Sequence, residues 1–311
     1  MNKKTLIGNI MLLTTAIIWG TAFVAQRVGM EHIEPFTFGA SRYILAVLAL
    51  LPIIYFLDSK KKKADIKNAI PPLTPEEKKA ERFAYLKGGA ICGCVLFIAS
   101  SLQQIGLVYT SAGKAGFITA LYIVLVPIFG IFLKKKVRVI TWLGVLIATI
   151  GLYLLCIKDG FTYENGDLII FIGAFFWTGH ILCCDHFTKI SDAVKLSCVQ
   201  FFVTFVFSTI AAFLFESPSW AGILACTIPI VYCGLFSSGV GYTFQMIAQK
   251  DTDPTIASLI LSLEAVFGAL GGYVLLSEIL STRELLGCAI MFAAIIIAQL
   301  PEKKTEASLT E

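Results

Sequence analysis

The chain has 311 residues, of which 57% are apolar and 15% are charged, and its formal net charge is +4. A soluble domain usually carries about 25% charged residues, so this composition argues against a water-facing surface. The basic residues form short clusters between apolar runs, which argues against a nucleic-acid partner.

The apolar runs themselves decide the type of secondary structure. In lipid every backbone polar group must be paired within the protein, so only helices and closed barrels can span a membrane. The runs are too long and too continuously apolar for barrel strands, which alternate over about 10 residues. The sequence therefore predicts an all-α integral membrane protein.

The first apolar run follows Lys3 and Lys4 and extends from Thr5 to Gln26, 22 residues without a charge. A signal-peptide core has only 7–15 apolar residues, whereas a spanning helix needs about 20. This run therefore predicts a retained first transmembrane helix. Nine further runs give ten predicted spans. They are Leu6–Val28, Phe36–Leu57, Gly88–Val108, Ala115–Leu133, Val139–Ile157, Leu168–Cys184, Leu196–Phe215, Gly222–Ala248, Pro254–Leu276 and Leu285–Leu300.

The distribution of lysine and arginine predicts the orientation. With a cytoplasmic N-terminus, 20 of the 25 basic residues fall on the cytoplasmic side. The other five are Arg27, Arg42, Lys114, Lys158 and Arg283. Cytoplasmic loops carry an excess of Lys and Arg, so we expect a multi-pass protein of the plasma membrane with both termini in the cytoplasm.

One connection is long and polar. Residues 58–87 hold four consecutive lysines and three prolines, which predicts a mobile, solvated cytoplasmic loop. Binding of this loop to anionic lipid headgroups is an alternative. All nine cysteines lie within apolar runs and no CxxC pair occurs, so we expect packing roles and no metal or cofactor.

An internal repeat relates the two halves of the chain. Shifts of 158 positions near the start of each half and of 142–143 farther along align similar residues. The aligned pairs are Gly8 with Gly166, Ala16 with Ala174, Trp19 with Trp177, Gln103 with Gln245, Ala115 with Ala257 and Leu143-Gly144 with Leu286-Gly287. This divides the chain into a first five-helix repeat (1–157), an external linker (158–167), a second repeat (168–300) and a cytoplasmic tail (301–311). Because five is odd, the second repeat must be inserted upside down, as in many alternating-access carriers.

Two parts of the sequence resemble a known family. Residues Ile18-Trp19-Gly20-Thr21-Ala22-Phe23 resemble the first-helix signature of the EamA branch of the drug/metabolite transporter superfamily. Residues Gly241–Gln245, Ser258–Phe267 and Ser277-Glu278 resemble its eighth and ninth helices. The resemblance implies a secondary transporter with a central cavity, in a family whose members export or import amino acids, other small metabolites or drugs. We expect an exporter that works by alternating access. Ala265 stands where the family often has proline, which puts a proline-dependent break in helix nine in doubt.

Ionisable residues inside a membrane cost about 2.5–3.5 kcal/mol at mid-helix, so they usually face protein or a water-filled cavity. Glu264 lies ten residues into predicted helix nine, near the midplane, and is a candidate for binding a coupling proton or a cationic substrate group. A packing role is its alternative. Arg42 could bind a substrate carboxylate, pair with Glu264, or extend its side chain to the headgroups. His180 is a weaker candidate, because a lone helical histidine is often merely hydrogen-bonded.

Uncharged polar and aromatic residues complete the candidate set. Gln103 and Gln245 are repeat equivalents and could line both halves of a cavity or join helices. Trp19, Trp177 and Tyr122 could stack on a substrate or pack against one another.

Two other classes of function are alternatives to transport. A membrane-embedded enzyme would need a nucleophile–base set or metal ligands, and the sequence contains no HExxH or GxSxG motif. A channel or structural component should show a continuous pore or a large partner-facing surface. A small-molecule substrate, a coupling proton and the lipid bilayer are the expected partners.

Overall fold

A computed structural model describes residues 3–110, 112–157, 164–276 and 279–300. These residues form helices and connections and contain no strand. We number ten main helices, and a short helix, Trp220–Ala225, precedes the eighth. They are α1 (Lys3–Gly29), α2 (Pro35–Lys67), α3 (Pro75–Tyr109), α4 (112–132), α5 (Val139–Cys156), α6 (Asn165–Phe187), α7 (Ala193–Phe215), α8 (Thr227–Gln249), α9 (254–276) and α10 (Thr282–Ala298).

Nine of these helices, α1 to α9, are long and apolar enough to cross a membrane within the described parts of the chain. The predicted all-helical membrane protein is therefore confirmed. The tenth helix, α10, has 17 residues and a length of about 26 Å. It packs along α5, where a Cβ atom added to Gly287 would lie 2.6 Å from the carbonyl oxygen of Gly151.

Four of the main helices are not uniform. Helix α4 consists of two segments, Ala112–Ala120 and Tyr122–Phe132, and α9 consists of Pro254–Leu261 and Glu264–Leu276. Helix α8 contains an 11-residue π-helical stretch, Tyr232–Tyr242. Helix α2 contains Pro52. Since π-helical turns are frequent at functional sites, α8 marks a region of interest.

The packing of the helices is nearly unchanged when each helix of the first half is exchanged with its counterpart in the second. Helix α1 packs on α8 and α9, just as α6 packs on α3 and α4. The pair α2·α8 corresponds in the same way to α7·α3, and α2·α7 and α5·α10 correspond to themselves.

The expectation of a loop over residues 58–87 is wrong, since most of it is helical. Helix α2 continues to Lys67, and α3 begins at Pro75, so only residues 68–74 connect them. The lysines that suggested a loop are good helix formers. Pro75 occupies the first turn, where proline is tolerated, and Thr74 accepts a capping hydrogen bond from Glu77 N–H.

The linker predicted over residues 158–167 ends before residue 167, because the next helix begins earlier than expected. Helix α6 already begins at Asn165, with Asp167 in its first turn. The side chain of Asp167 accepts the backbone N–H of Glu164 and so caps the helix. Residues 158–163 and the tail 301–311 lie outside the described residues.

Polar contacts tie both ends of the α2·α7 pair. At one end the carboxylate of Glu216 accepts the backbone N–H groups of Phe36 and Thr37 at 2.6 and 2.7 Å. At the other end Lys195 pairs with Asp58 at 2.9 Å. Glu216 and Asp58 are related by the shift of 158 positions, so repeat-equivalent carboxylates hold the two ends.

Glu216→Ala is expected to lower the apparent unfolding temperature of the purified protein by roughly 2–8 °C. The change removes the cap of α2, which is worth about 1–2 kcal/mol. Thermal unfolding in detergent measures the effect. Glu31→Ala, at an exposed position, is the matched control, and an equal loss in both variants would show that Glu216 is not a cap.

Candidate functional site

A cavity lies at the centre of the helix bundle, and its empty space is about 510 Å³ when the open solvent at its mouth is counted. Seven helices contribute its lining, namely α1 to α4, α6, α8 and α9. The lining residues are Trp19, Phe23, Gln26, Arg42, Gln103, Thr119, Tyr122, Trp177, Ile181, Ser237, Tyr242, Gln245, Leu261 and Glu264.

Seven of the eight residues that the sequence suggested line this one cavity. They are Trp19, Arg42, Gln103, Tyr122, Trp177, Gln245 and Glu264. The exception is His180, which is fully buried outside the lining. Its Nε2 lies 3.0 Å from Oε1 of Gln200, and its ring packs edge-on against Trp177 and Tyr242. In this structure His180 supports the cavity wall rather than facing the cavity.

Glu264 lies where α9 is interrupted. The turn at Ser262 and Leu263 separates the two segments, and Glu264 begins the second one. The break forms without the proline whose absence put it in doubt. The hydroxyl of Ser262 donates to the carbonyl of Leu259 at 2.8 Å, a local contact of the kind that bends helices.

Tyr122 occupies the corresponding place in α4, directly after the interruption at Leu121. A shift of 142 positions maps Tyr122 onto Glu264, so the two residues are repeat equivalents. The hydroxyl of Tyr122 donates to Oε1 of Glu264 at 3.0 Å, and both side chains are buried. The interruptions of the two helices thus meet through one hydrogen bond at the cavity.

Arg42 is only 4% exposed, so its side chain does not reach toward the headgroups. Its Nη2 donates to the hydroxyl of Tyr43 at 2.9 Å, and its guanidinium lies 4.6 Å from the Tyr43 ring centroid and 5.6 Å from that of Phe38. Within the described residues Arg42 forms no ion pair, so pairing with Glu264, one of the three alternatives for Arg42, is absent from this conformation.

The aromatic lining is arranged around Tyr242. Its ring centroid lies 4.5 Å from that of Trp19 and 6.3 Å from that of Trp177, and it is nearly parallel to the latter. Trp19 and Trp177 are repeat equivalents. The Nε1 of Trp19 donates to the carbonyl of Ser237 at 3.1 Å, which fixes its ring against the π-helical stretch of α8.

Four buried polar atoms of the lining have no hydrogen-bond partner among the described residues. They are Nε of Arg42, Nε1 of Trp177, Oγ1 of Thr119 and Oε1 of Gln245. A buried polar group without a partner costs about 1–3 kcal/mol. In the cavity these atoms are placed where a polar guest or water could bond to them.

Several lining residues were not among the candidates predicted from the sequence. Phe23, Ile181 and Leu261 are apolar residues in apolar spans and give no signal. Gln26 and Thr119 are uncharged polar residues within spans, which is the same signal that identified Gln103 and Gln245.

An ion cluster joins the first turns of α4 and α6 at one end of the cavity walls. Lys114 is only 7% exposed and lies 3.2 Å from Asp167 and 3.3 Å from Glu164. Hydrogen bonds from Thr110 and Lys114 hold the pKa of the Glu164 carboxyl below its usual value. Because breaking a buried ion pair is costly, this cluster holds α4 against α6.

A second ion cluster joins the same two helices at their other ends. Asp185, near the end of α6, is buried and pairs with Lys135, just beyond α4, and with Lys189 at 2.8 Å. Ion pairs therefore join α4, which carries Tyr122, to α6, which carries Trp177, at both ends of the two helices.

Comparison with known proteins gives consistent matches over the whole chain. The model of the EamA-like transporter family matches residues 6–157 and 164–299. An "Uncharacterized transporter" of Archaeoglobus fulgidus is 29% identical over 300 residues, covering 96% of this chain and 87% of the relative. The "Uncharacterized inner membrane transporter YedA" of Escherichia coli (strain K12) is 23% identical over 298 residues, covering 93% and 89%. A crystal structure with 17% identity superposes with a TM-score of 0.73, covering 94% of this chain and 96% of that one, so it shares the fold.

Proposed function

The chain belongs to the EamA-like transporter family, as its resemblance to the drug/metabolite transporters predicted, and from this we propose that it is a secondary transporter of small metabolites. Amino acids, related compounds or drugs are its substrates, and it exports them by alternating access. The observation that carries the proposal is the central cavity, where Arg42, Glu264 and two tryptophans from different helices meet. Nucleotide-driven transport is disfavoured because the sequence has no Walker A motif.

The proposal includes an architecture of ten transmembrane helices in two inverted five-helix repeats. Three observations support it. The two stretches matched by the family model coincide with the two halves. The helix contacts are nearly unchanged when the halves are exchanged. Helices α4 and α9 are interrupted at equivalent positions, directly before Tyr122 and Glu264. Such a relation makes two conformations, open to opposite sides, close in energy.

The proposal also places both termini in the cytoplasm. The support is the excess of lysine and arginine on that side, 20 of 25 residues. In this orientation Lys135 and Asp185 lie toward the cytoplasm, and Lys114 and Asp167 lie toward the opposite side.

We further propose that Glu264 carries a coupling proton. It is the only acidic residue in the described lining of the cavity. It also begins the second segment of α9, directly after the interruption of that helix. A substrate cation and a proton would compete for the same carboxylate. This competition makes exchange of one for the other the simplest form of coupling.

The test is uptake into liposomes that contain the purified protein. Radiolabelled amino acids, small organic acids and amines are supplied one at a time, with protein-free liposomes as the control. We expect saturable uptake of at least one class, and we expect Trp19→Ala, which removes a cavity wall, to reduce it. Uptake no faster than in protein-free liposomes for every compound would contradict the proposal.

A further inference from the structure

We infer that the cavity takes a dipolar substrate that carries one carboxylate and one ammonium group, the carboxylate at Arg42 and the ammonium at Glu264. This inference rests on the proposed function and decides between its substrate classes. It favours amino-acid-like compounds over organic cations and over simple organic acids.

The lining of the cavity holds two groups that can carry opposite charges. Arg42 and Glu264 are the only charged residues among those that line it in the described structure. Arg42 is a cation and Glu264 is an anion once it has released its proton, yet each has a tyrosine as its partner, Tyr43 for Arg42 and Tyr122 for Glu264. Two buried opposite charges that do not pair with each other leave both available to a guest.

Arg42 offers N–H donors to the carboxylate group of such a substrate. Arginine presents several N–H donors in a planar fork that matches a carboxylate. One Nη2 bond of Arg42 goes to Tyr43, while its Nε has no partner among the described residues. The rings of Tyr43 and Phe38 lie beside the guanidinium and limit its movement. The Nε1 of Trp177 is a second unpartnered N–H donor in the same lining.

Glu264 and two neighbouring side chains offer acceptor oxygens to the ammonium group of such a substrate. Oε1 of Glu264 accepts the Tyr122 hydroxyl, and Oε2 lies outside that bond. Oε1 of Gln245 and Oγ1 of Thr119 are unpartnered oxygens in the same lining, and both can accept N–H donors. An ammonium group has three N–H donors, so Glu264 and two neutral oxygens would match its needs.

The charge balance explains why both groups are needed. A guest with only an ammonium group would compensate Glu264 and leave Arg42 buried without a counter-charge. A guest with only a carboxylate would leave Glu264 to bind a proton and would lose the hydrogen bonds of the ammonium group. Each guest therefore forgoes one set of charge-assisted contacts, so the cavity should discriminate against both kinds.

The repeat supplies a well-matched variant for one of the charges. The shift of 158 positions maps Arg42 onto Gln200, and Tyr43 onto Phe201, whose ring stacks on Tyr43 at 6.0 Å. A glutamine is therefore already accommodated at the equivalent position of the second repeat. Arg42→Gln and Glu264→Gln each remove one charge and keep a polar side chain of suitable length.

The test measures binding of matched compounds to native protein and to these two variants. One set is L-phenylalanine, 2-phenylethylamine and 3-phenylpropanoate, and a smaller set is L-alanine, ethylamine and propanoate. The readouts are the ligand-induced rise in unfolding temperature and the change in fluorescence of the cavity tryptophans. Arg42→Lys and Glu264→Asp, which keep each charge, are parallel variants in case a glutamine variant fails to fold.

We expect native protein to bind the dipolar member of at least one set about ten- to a hundred-fold more tightly than its amine or acid. Arg42→Gln should shift the preference toward the amine, and Glu264→Gln should shift it toward the acid. The charge-keeping variants should retain the native preference. Equal or tighter binding of an amine or acid by native protein would overturn the inference. An unchanged preference in the glutamine variants, or no binding of any dipolar compound at millimolar concentration, would overturn it as well.

Binding and transport can fail separately. The expected charge preference in binding without any uptake into liposomes would support the dipolar site and contradict the transporter. Saturable uptake of amines or acids alone would support the transporter and contradict the dipolar site.

Discussion

Glu264→Gln is expected to abolish proton movement coupled to substrate while the protein stays folded. Glutamine has nearly the shape of glutamate, and its amide oxygen can still accept the Tyr122 hydroxyl that now donates to Oε1 at 3.0 Å. It cannot bind and release a proton. The internal pH of liposomes, followed while a substrate is added outside, measures the effect, and we expect no substrate-dependent change.

The same variant should also slow substrate uptake. A charge-assisted hydrogen bond is worth about 1.5–3 kcal/mol, so its loss should weaken binding roughly ten- to a hundred-fold. Tyr122→Phe is the matched control, because it removes the hydrogen bond and keeps the acid. We expect Tyr122→Phe to retain proton movement at a reduced rate. Undiminished proton movement in Glu264→Gln would place the coupling proton elsewhere.

Gly20→Ala is expected to destabilise the protein despite the higher helix propensity of alanine. A Cβ atom at Gly20 would lie 2.6 Å from the carbonyl oxygen of Glu264 and from the backbone nitrogen of Gly268. These are backbone atoms that cannot rotate away, so α1 and α9 would have to separate beside the cavity. Overpacking of this kind costs about 1–3 kcal/mol, which corresponds to roughly 2–12 °C in unfolding temperature.

Separation of α1 and α9 should also reduce transport, because it would displace two residues that line the cavity. Trp19 is the neighbour of Gly20 in α1, and the carbonyl that the added atom would meet belongs to Glu264. Gly116→Ala makes the same chemical change in α4, where an added Cβ would meet nothing within 4 Å. We expect this control to be neutral or slightly stabilising. If both alanine variants unfold at the same temperature, the close approach of α1 and α9 does not contribute to stability.

The sequence predicted the class of fold because that class depends on composition. Long uncharged runs can only be spanning helices, and a run such as Thr5–Gln26 carries that information by itself. The helices extend beyond the apolar runs where the flanking residues favour helix. This is why α2 continues through its lysines to Lys67 and why α3 starts at Pro75.

The candidate site was predictable to the extent that polar residues are rare inside a membrane. Glu264, Arg42, Gln103 and Gln245 stand out for that reason, and all four line one cavity. His180 was a weaker candidate, and it lies behind the wall, because the residue pattern does not tell which side of a buried helix faces a cavity. The break in α9 without a proline depends on a turn at Ser262 and Leu263 that no sequence rule signals.

The hydrogen bond between Tyr122 and Glu264 illustrates what the repeat alignment could and could not provide. The shift of 142 positions already paired the two residues. Their different chemistry concealed the relation, since a repeat is recognised by similar residues. The residues proposed to bind the charged groups of a substrate break the symmetry of the repeat, since Arg42 corresponds to Gln200 and Glu264 corresponds to Tyr122.

The most direct test of the central proposal is solute counterflow. Liposomes containing the protein are loaded with unlabelled substrate and diluted into a trace of the same substrate carrying a radiolabel. A carrier with one alternating site binds labelled substrate outside, returns with unlabelled substrate from inside, and so accumulates label transiently above its equilibrium level. We predict this overshoot for the native protein and a much smaller one for Trp19→Ala. Label that only approaches equilibrium, without an overshoot, would contradict an alternating-access carrier and indicate a channel.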